Sequence, residues 1–120
     1  MREIKFRAWH KTEKRVVLRY EDSIFVKHYG FNNYHFIPMQ FTGLQDKNGK
    51  EIYEGDIVKA KTRDDKSNLY GFIVFESGEY LIEQEDLSFP LCTFSVIDEF
   101  SFEVIGNIYE NPELLEDNNG

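Results

Sequence analysis

Strict alternation opens the chain. In Ile4-Lys5-Phe6-Arg7-Ala8-Trp9, Ile4, Phe6 and Ala8 share one face and Lys5, Arg7 and Trp9 the other, the period of a half-buried strand. His10 to Lys14 is polar and turn-like. Arg15-Val16-Val17-Leu18-Arg19-Tyr20 is a second strand, rich in β-branched residues, and Ser23-Ile24-Phe25-Val26 is a candidate third. Residues 27–38 carry Tyr29, Phe31, Tyr34 and Phe36 among Gly30, Asn32 and Asn33. They read as an ordered aromatic loop leading into Phe36-Ile37, with Pro38 placed at a strand boundary because it cannot donate to a ladder.

The middle of the chain is the clearest stretch. Met39 to Leu44 is extended, and Glu51-Ile52-Tyr53 resumes the extension after Gln45-Asp46-Lys47-Asn48-Gly49-Lys50. Asn48-Gly49 tolerates positive φ at both central positions, as a type I′ hairpin demands. Glu54-Gly55-Asp56 is a second sharp turn, followed by a strand over Ile57 to Lys61, and Arg63 to Asn68 is a polar loop. Tyr70 to Phe75 and Tyr80-Leu81-Ile82 are strands joined by a turn at Glu76-Ser77-Gly78-Glu79. Glu83 to Asp86 reads as an acidic break, and Leu87 to Ile97 as loop with a short strand. Phe100 to Ile108 alternates as a final strand. Asn111-Pro112-Glu113 is a helix start, with Asn at the cap and Pro at the first helical position. A short turn ending in Leu114 and Leu115 follows, and residues 116–120 read as a frayed tail.

Seven to nine short strands with little helix predict a mainly β fold, a small antiparallel SH3-like barrel or sandwich. Its core is centred on residues 39–109. The N-terminal strands extend it, and Leu114 and Leu115 plug one end. The whole, residues 1–120, is expected to be one domain. With 41% hydrophobic and 16% aromatic residues in 14.2 kDa, the chain has the material for a packed core rather than a disordered one. No apolar run approaches the ~18 residues of a membrane-spanning helix, and the opening residues do not read as a secretory leader. A single cysteine, Cys92, allows no internal disulfide. A cytoplasmic, reducing compartment is the expectation. Cys92 itself, in an apolar stretch without a basic neighbour, reads as a buried inert thiol.

Charge changes the picture further. The net charge is −8. Residues 1–20 carry seven basic and two acidic side chains, residues 21–66 seven and eight, and residues 67–120 twelve acidic and no Lys or Arg. The basic start is therefore expected to lie beside the acidic second half, within one chain or between subunits of a homo-oligomer. Exposed, the acidic half would attract a basic protein surface. Nucleic acid is the weakest class of partner, because a net basic face could come only from the first twenty residues.

Three segments, Ile4 to Trp9, Phe41 to Val58 and Val104 to Leu115, occur in an order that closely resembles the YopX family of small bacteriophage and prophage proteins. The resemblance implies a phage-type protein in a bacterial cytoplasm and brings with it no reaction, cofactor or catalytic residue. It also implies a multi-chain, largely helical protein. The helical part conflicts with the alternation above, and the strands are preferred here. Where typical members carry Asp after the tryptophan, this chain has His10.

Candidate chemistry is sparse. Asp46, Glu51, Glu54 and Asp56 fall within eleven residues and could form an acid/base pair or a hard-metal site. Asp46 and Asp56 also fit the side-chain chemistry of their turns. Gly43, Gly49, Gly55 and Gly106 mark turns or strand breaks, and none opens a helix as a phosphate loop would. His10, His28 and His35 have no metal-ligand spacing. The basic and aromatic face of Lys5, Arg7 and Trp9 could stack single-stranded nucleic acid, and Tyr29, Phe31 and Tyr34 could form a recognition loop for a protein. The expectation is a non-enzymatic accessory protein, without cofactor or metal, that binds a host or phage protein through acidic or aromatic surface. A nucleic-acid module using the Lys5, Arg7 and Trp9 face is the alternative, and an enzyme using Asp56 with Glu51 or Glu54 the third reading.

Overall fold

Strands form where the alternation predicts them, and they sort into two antiparallel sheets. The structure is a computed structural model that describes residues 5–17, 36–62, 64, 66, 68–84, 87–91 and 100–119. Strands β1 (Phe6–His10), β2 (Arg15–Val17), β3 (Phe36–Gln45) and β4 (Glu51–Tyr53) form a sheet in the order β2-β1-β3-β4. Strands β5 (Asp56–Thr62), β6 (Asn68–Glu76), β7 (Glu79–Gln84), β8 (Leu87–Pro90) and β9 (Phe100–Asn107) form a second in the order β8-β7-β6-β5-β9. Among the described residues, one short helix, α1 (Glu113–Asn119), packs against β6. The candidate strand over 23–26 and the aromatic residues Tyr29, Phe31 and Tyr34 lie outside the described residues, as do His28, His35 and Cys92.

The five-stranded sheet curls into a half-barrel. Alternate residues supply its core: Val58 and Ala60 from β5, Ile73 from β6, Tyr80 and Ile82 from β7, Phe102 and Val104 from β9. Ile52 and Leu91 close the cluster. Each fully buried aliphatic side chain here contributes about 1.5–3 kcal/mol of transfer free energy. In the smaller sheet, Ala8 and Phe36 pack with Phe6 and Val17. A third cluster of Met39, Phe41 and Tyr53 with Tyr109 joins the smaller sheet to the turn after β9.

Several details depart from the expectations. Pro38 lies inside β3, opposite Ala8, rather than at a boundary. Odd-numbered Phe41 donates its N–H to Lys5 O, the residue before β1, so the donor-less nitrogen of Pro38 faces the other side. There β4 pairs only from Phe41 onward, and no ladder bond is lost. Asn48 does not take up positive φ, and Gly49 alone does, at 82°. The Gly49 N–H bonds Asp46 O at 3.0 Å, a tight turn followed by a left-handed Gly and not a type I′ turn. The type I′ geometry appears instead at Ser77 (φ 52°) and Gly78 (φ 83°), between the paired residues Glu76 and Glu79. Glu83 and Gln84 continue β7 rather than breaking it, because the backbone pairs with Ser88 and Leu87 regardless of side-chain charge. Residues 116–119, expected as tail, complete α1. Asn111 does not point forward into that helix. Its Oδ1 accepts the Asn107 N–H at 3.2 Å, and a Cβ on Gly106 would stand 2.5 Å from that oxygen. Gly106 is therefore required for close approach, not for positive φ.

Gly55 has both requirements. Its φ is 84°, and a Cβ there would meet Met39 Cε at 3.1 Å and Tyr109 Cε2 at 3.3 Å, whereas a Cβ on Gly49 meets nothing. Both Gly49→Ala and Gly55→Ala should pay the ~1–2 kcal/mol of left-handed backbone. Gly55→Ala should add ~1–3 kcal/mol of overpacking. Urea unfolding of the two variants checks this, and equal loss in both would contradict the packing at Gly55.

Candidate functional site

The alternation of β1 places Lys5, Arg7 and Trp9 on one face, and that face is interior. Arg7 is 8% and Trp9 9% exposed. Each of the three meets one element of the later chain. Lys5 pairs with Glu51 on β4 and lies over the Phe41 ring at 4.7 Å. Arg7 pairs with Asp56 at the start of β5, with its guanidinium over the Tyr53 ring at 4.5 Å. Trp9 stacks on Tyr109, ring centroids 5.7 Å apart and planes 16° from parallel. The basic face that could have stacked nucleic acid is thus spent on internal contacts. Alternation marked the face but not its direction, since a strand beside a second layer buries both its faces.

The carboxylate cluster is equally engaged. Asp56 is fully buried, and its Oδ2 accepts the Tyr53 N–H at 2.8 Å while its Oδ1 takes Arg7. Glu51 accepts from Lys5 and from the Tyr53 hydroxyl at 3.1 Å. Glu54 accepts the Gln40 N–H at 2.8 Å and returns its own N–H to Gln40 O at 3.0 Å, extending β3 past the end of β4. Asp46 reaches in two directions. Its Oδ1 accepts the N–H groups of Asn48 and Lys50, at 2.8 and 2.9 Å, and its Oδ2 that of Val104 on β9, at 2.9 Å. One carboxylate therefore shapes the 46–50 turn and clips it to the other sheet. Lys47 N–H seals the same junction by bonding Phe102 O at 2.9 Å, which covers the backbone groups of an edge strand.

Electrostatics follow the contacts. Burial pushes the Asp56 carboxyl up, and Arg7 and the Tyr53 N–H oppose it. Burial would raise Asp46 as well, yet the backbone N–H groups of Val104, Lys50 and Asn48 hold it below the ordinary carboxylate value. Lys5 holds Glu51 low against a smaller effect of burial. The Tyr53 hydroxyl is pushed up to about 12 by burial and by its bond to Glu51, so it remains a donor at neutral pH.

Tyr109 is the residue that periodicity did not single out. Asn107 Oδ1 accepts the N–H groups of Tyr109 and Glu110, at 3.0 and 2.9 Å, and this turn carries the Tyr109 ring onto Trp9. The signal was the Asn107-Ile108-Tyr109-Glu110-Asn111-Pro112 string. His10 has a turn role too, since its Nδ1 accepts the Glu13 N–H at 3.0 Å and its ring meets Phe36 edge-on. Among the described residues, no three His, Cys, Asp or Glu side chains stand grouped to hold a metal ion, and no helix is long and apolar enough to cross a membrane.

Two antiparallel sheets, one curled into a half-barrel and joined to the other by the buried Arg7–Asp56 pair, define a small, mainly β protein of barrel-like form. The chain belongs to the YopX family: the family described as YopX protein matches residues 18–116. The SPbeta prophage-derived uncharacterized protein YopX of Bacillus subtilis (strain 168) is 33% identical over 70 residues, 57% of this chain and 52% of that protein. The aligned stretch thus spans about half the length of that relative. The crystal structure of protein EF1440 from Enterococcus faecalis is similar with a TM-score of 0.69 at 28% identity, over 96% of this chain and 99% of that one. The X-ray structure of YopX from Bacillus subtilis shares the fold, with a TM-score of 0.65 at 22% identity over 92% and 97% of the two chains. Strand β1 precedes the family-matched region, yet its three inward side chains find their partners inside it.

Removing one partner of the Arg7–Asp56 pair strands the other in the interior, so Arg7→Met and Asp56→Asn should each cost about 3–5 kcal/mol. The double variant should cost clearly less than the two together. A double-mutant cycle from urea unfolding measures this, and additivity within about 0.5 kcal/mol would mean the pair does not act as a unit. Acid should act through Asp46 and Glu51. Both are held low in the folded state, so their contribution is complete above the ordinary carboxylate pKa of about 4 and is lost as pH falls through the lowered folded values. The urea midpoint should therefore drop below about pH 4, and Asp46→Asn should flatten that drop.

Proposed function

We propose that this chain is a phage-type accessory protein of the bacterial cytoplasm that works by binding a host or phage protein, not by catalysis. One observation carries the reading: the side chains that could have formed an acid/base or hard-metal site are all engaged by internal partners, Asp46 and Asp56 between the two sheets and Glu51 and Glu54 within the smaller one. A general acid or base must reach a substrate proton. Asp56 and Asp46 are buried under backbone and side-chain partners, and Glu51 and Glu54 are tied to Lys5 and to the β3 backbone. The prophage origin of the Bacillus subtilis relative supports the phage assignment. The acidic second half, with twelve acidic and no basic side chains over residues 67–120, supports a protein partner over a polyanion.

A tagged pull-down from bacterial host lysate, run with and without nuclease and read by mass spectrometry, tests the reading. The expected result is a protein retained after nuclease. Loss of every captured species on nuclease treatment, or capture of nothing by the wild type, would count against it.

A further inference from the structure

The hairpin of β6 and β7 runs past the rest of its sheet. On one side β5 pairs with β6 only as far as Phe72, and on the other β8 pairs with β7 only from Leu81 onward. β6 and β7 themselves stay paired to Glu76 and Glu79. Phe75 to Tyr80 is therefore a two-stranded tip, flanked by neither neighbour. Two features of that tip are unfavourable in the free chain. Phe75, on the same face as the core residues Ile73 and Ile82, is 46% exposed, and among the described residues it is the one exposed large hydrophobic side chain. Its ring leans on that of Tyr80, centroids 4.9 Å apart, so it is held in place with apolar surface left in water. On the opposite face Glu76 and Glu79 stand directly across the ladder from each other, an arrangement in which like charges are destabilising. Among the described residues, no cation pairs with either.

We propose that this tip is the docking site for a short extended segment of the protein partner in which basic and apolar side chains alternate. The proposal rests on the reading of the chain as a protein binder and names the chemistry of what it binds. Charge complementarity selects a basic segment. Its cations would neutralise the Glu76 and Glu79 pair, and the chain from residue 67 onward holds no Lys or Arg to do so. α1, packed against β6, adds further acid through Glu113 and Glu116. The exposed ring selects an apolar companion, because covering Phe75 removes apolar surface from water. Alternation follows from the two faces. An extended segment lying beside the tip sends successive side chains to opposite sides, apolar ones to Phe75 and basic ones to the carboxylates. The tip is preorganised for this, since positive φ at Ser77 and Gly78 gives the turn that matches strand twist. Nucleic acid would bring phosphates to two carboxylates that already repel each other.

Fluorescence anisotropy with a labelled peptide of alternating arginine and leucine tests the site. A glutamine–leucine peptide and an all-arginine peptide, labelled in the same way, separate the two contributions. The arginine–leucine peptide should bind most tightly and weaken with added salt. Its binding should weaken about tenfold in Glu76→Gln/Glu79→Gln and about as much in Phe75→Ser. Asp64→Asn/Glu103→Gln changes the net charge equally, on the loop after β5 and on β9, and should leave binding unchanged. The urea midpoint of Glu76→Gln/Glu79→Gln should equal or exceed that of the wild type, because the repulsion is gone, so lost binding is not lost folding. The proposal fails if the arginine–leucine peptide does not bind, if the all-arginine peptide binds as tightly, if the tip variants bind as the wild type does, or if the charge-matched control weakens binding equally. Repeating the pull-down with Phe75→Ser and Glu76→Gln/Glu79→Gln separates the two claims. A partner held equally by wild type and variants overturns the tip site and leaves the binder reading standing, whereas peptide binding at the tip without any captured protein does the reverse.

Discussion

The pairing of Arg7 with Asp56 joins the two halves of the molecule. Arg7 belongs to the smaller sheet, and Asp56 is the first residue of the larger one. The carboxylate also accepts the Tyr53 N–H, so the same group that neutralises Arg7 turns the chain from β4 into β5. Two charges out of water cost several kcal/mol each, and the geometry offsets that cost with a charge-assisted hydrogen bond, a backbone hydrogen bond and the face of Tyr53 under the guanidinium. Gly55, one residue earlier, must approach Met39 and Tyr109 closely for this to happen. The turn, the ion pair and the aromatic cluster are one interdependent unit.

Asp46 does for the other end of β4 what Asp56 does for its exit. Its two oxygens serve the 46–50 turn and Val104 of β9, so a local turn residue also fixes a long-range contact. The acidic residues that crowd residues 46–56 therefore have architectural roles, each set by a named donor. Lys5, Arg7 and Trp9 are the matching half of that arrangement, meeting Glu51, Asp56 and Tyr109. The segments by which the chain resembles its family are, in three dimensions, largely the segments that touch one another.

Much of the architecture was legible beforehand. Alternation located β1 and β9, extended apolar segments between turn signals located β5, β6 and β7, and glycine with its neighbours located the turns. What failed did so for identifiable reasons. Pro38 looked like a strand end because a ladder normally needs its missing donor, and only the short reach of β4 shows that no donor is needed there. Asn48-Gly49 and Ser77-Gly78 are both acceptable two-residue turns by sequence. The Asp46 carboxylate pulls the first into a wider loop, while the second closes between directly paired residues. The Lys5, Arg7 and Trp9 face was open in the sequence between an exposed stacking surface and a packed one, because two of its three residues are charged and the third is aromatic. It is interior because acidic partners sit more than forty residues away in sequence, and no local pattern reports them.

The sequence by itself determined the strand content, most of the turns, the charge asymmetry and the family. These depend on side-chain period, backbone preference and composition, which are properties of neighbouring residues. Only the tertiary structure decided which charges neutralise each other. Lys5 and Arg7, read locally, belong to a basic N-terminal segment, yet in the fold they are paired with Glu51 and Asp56. Whether a charge is surface or core depends on what a distant strand brings within hydrogen-bonding reach, and that distance exists only once the two sheets have met.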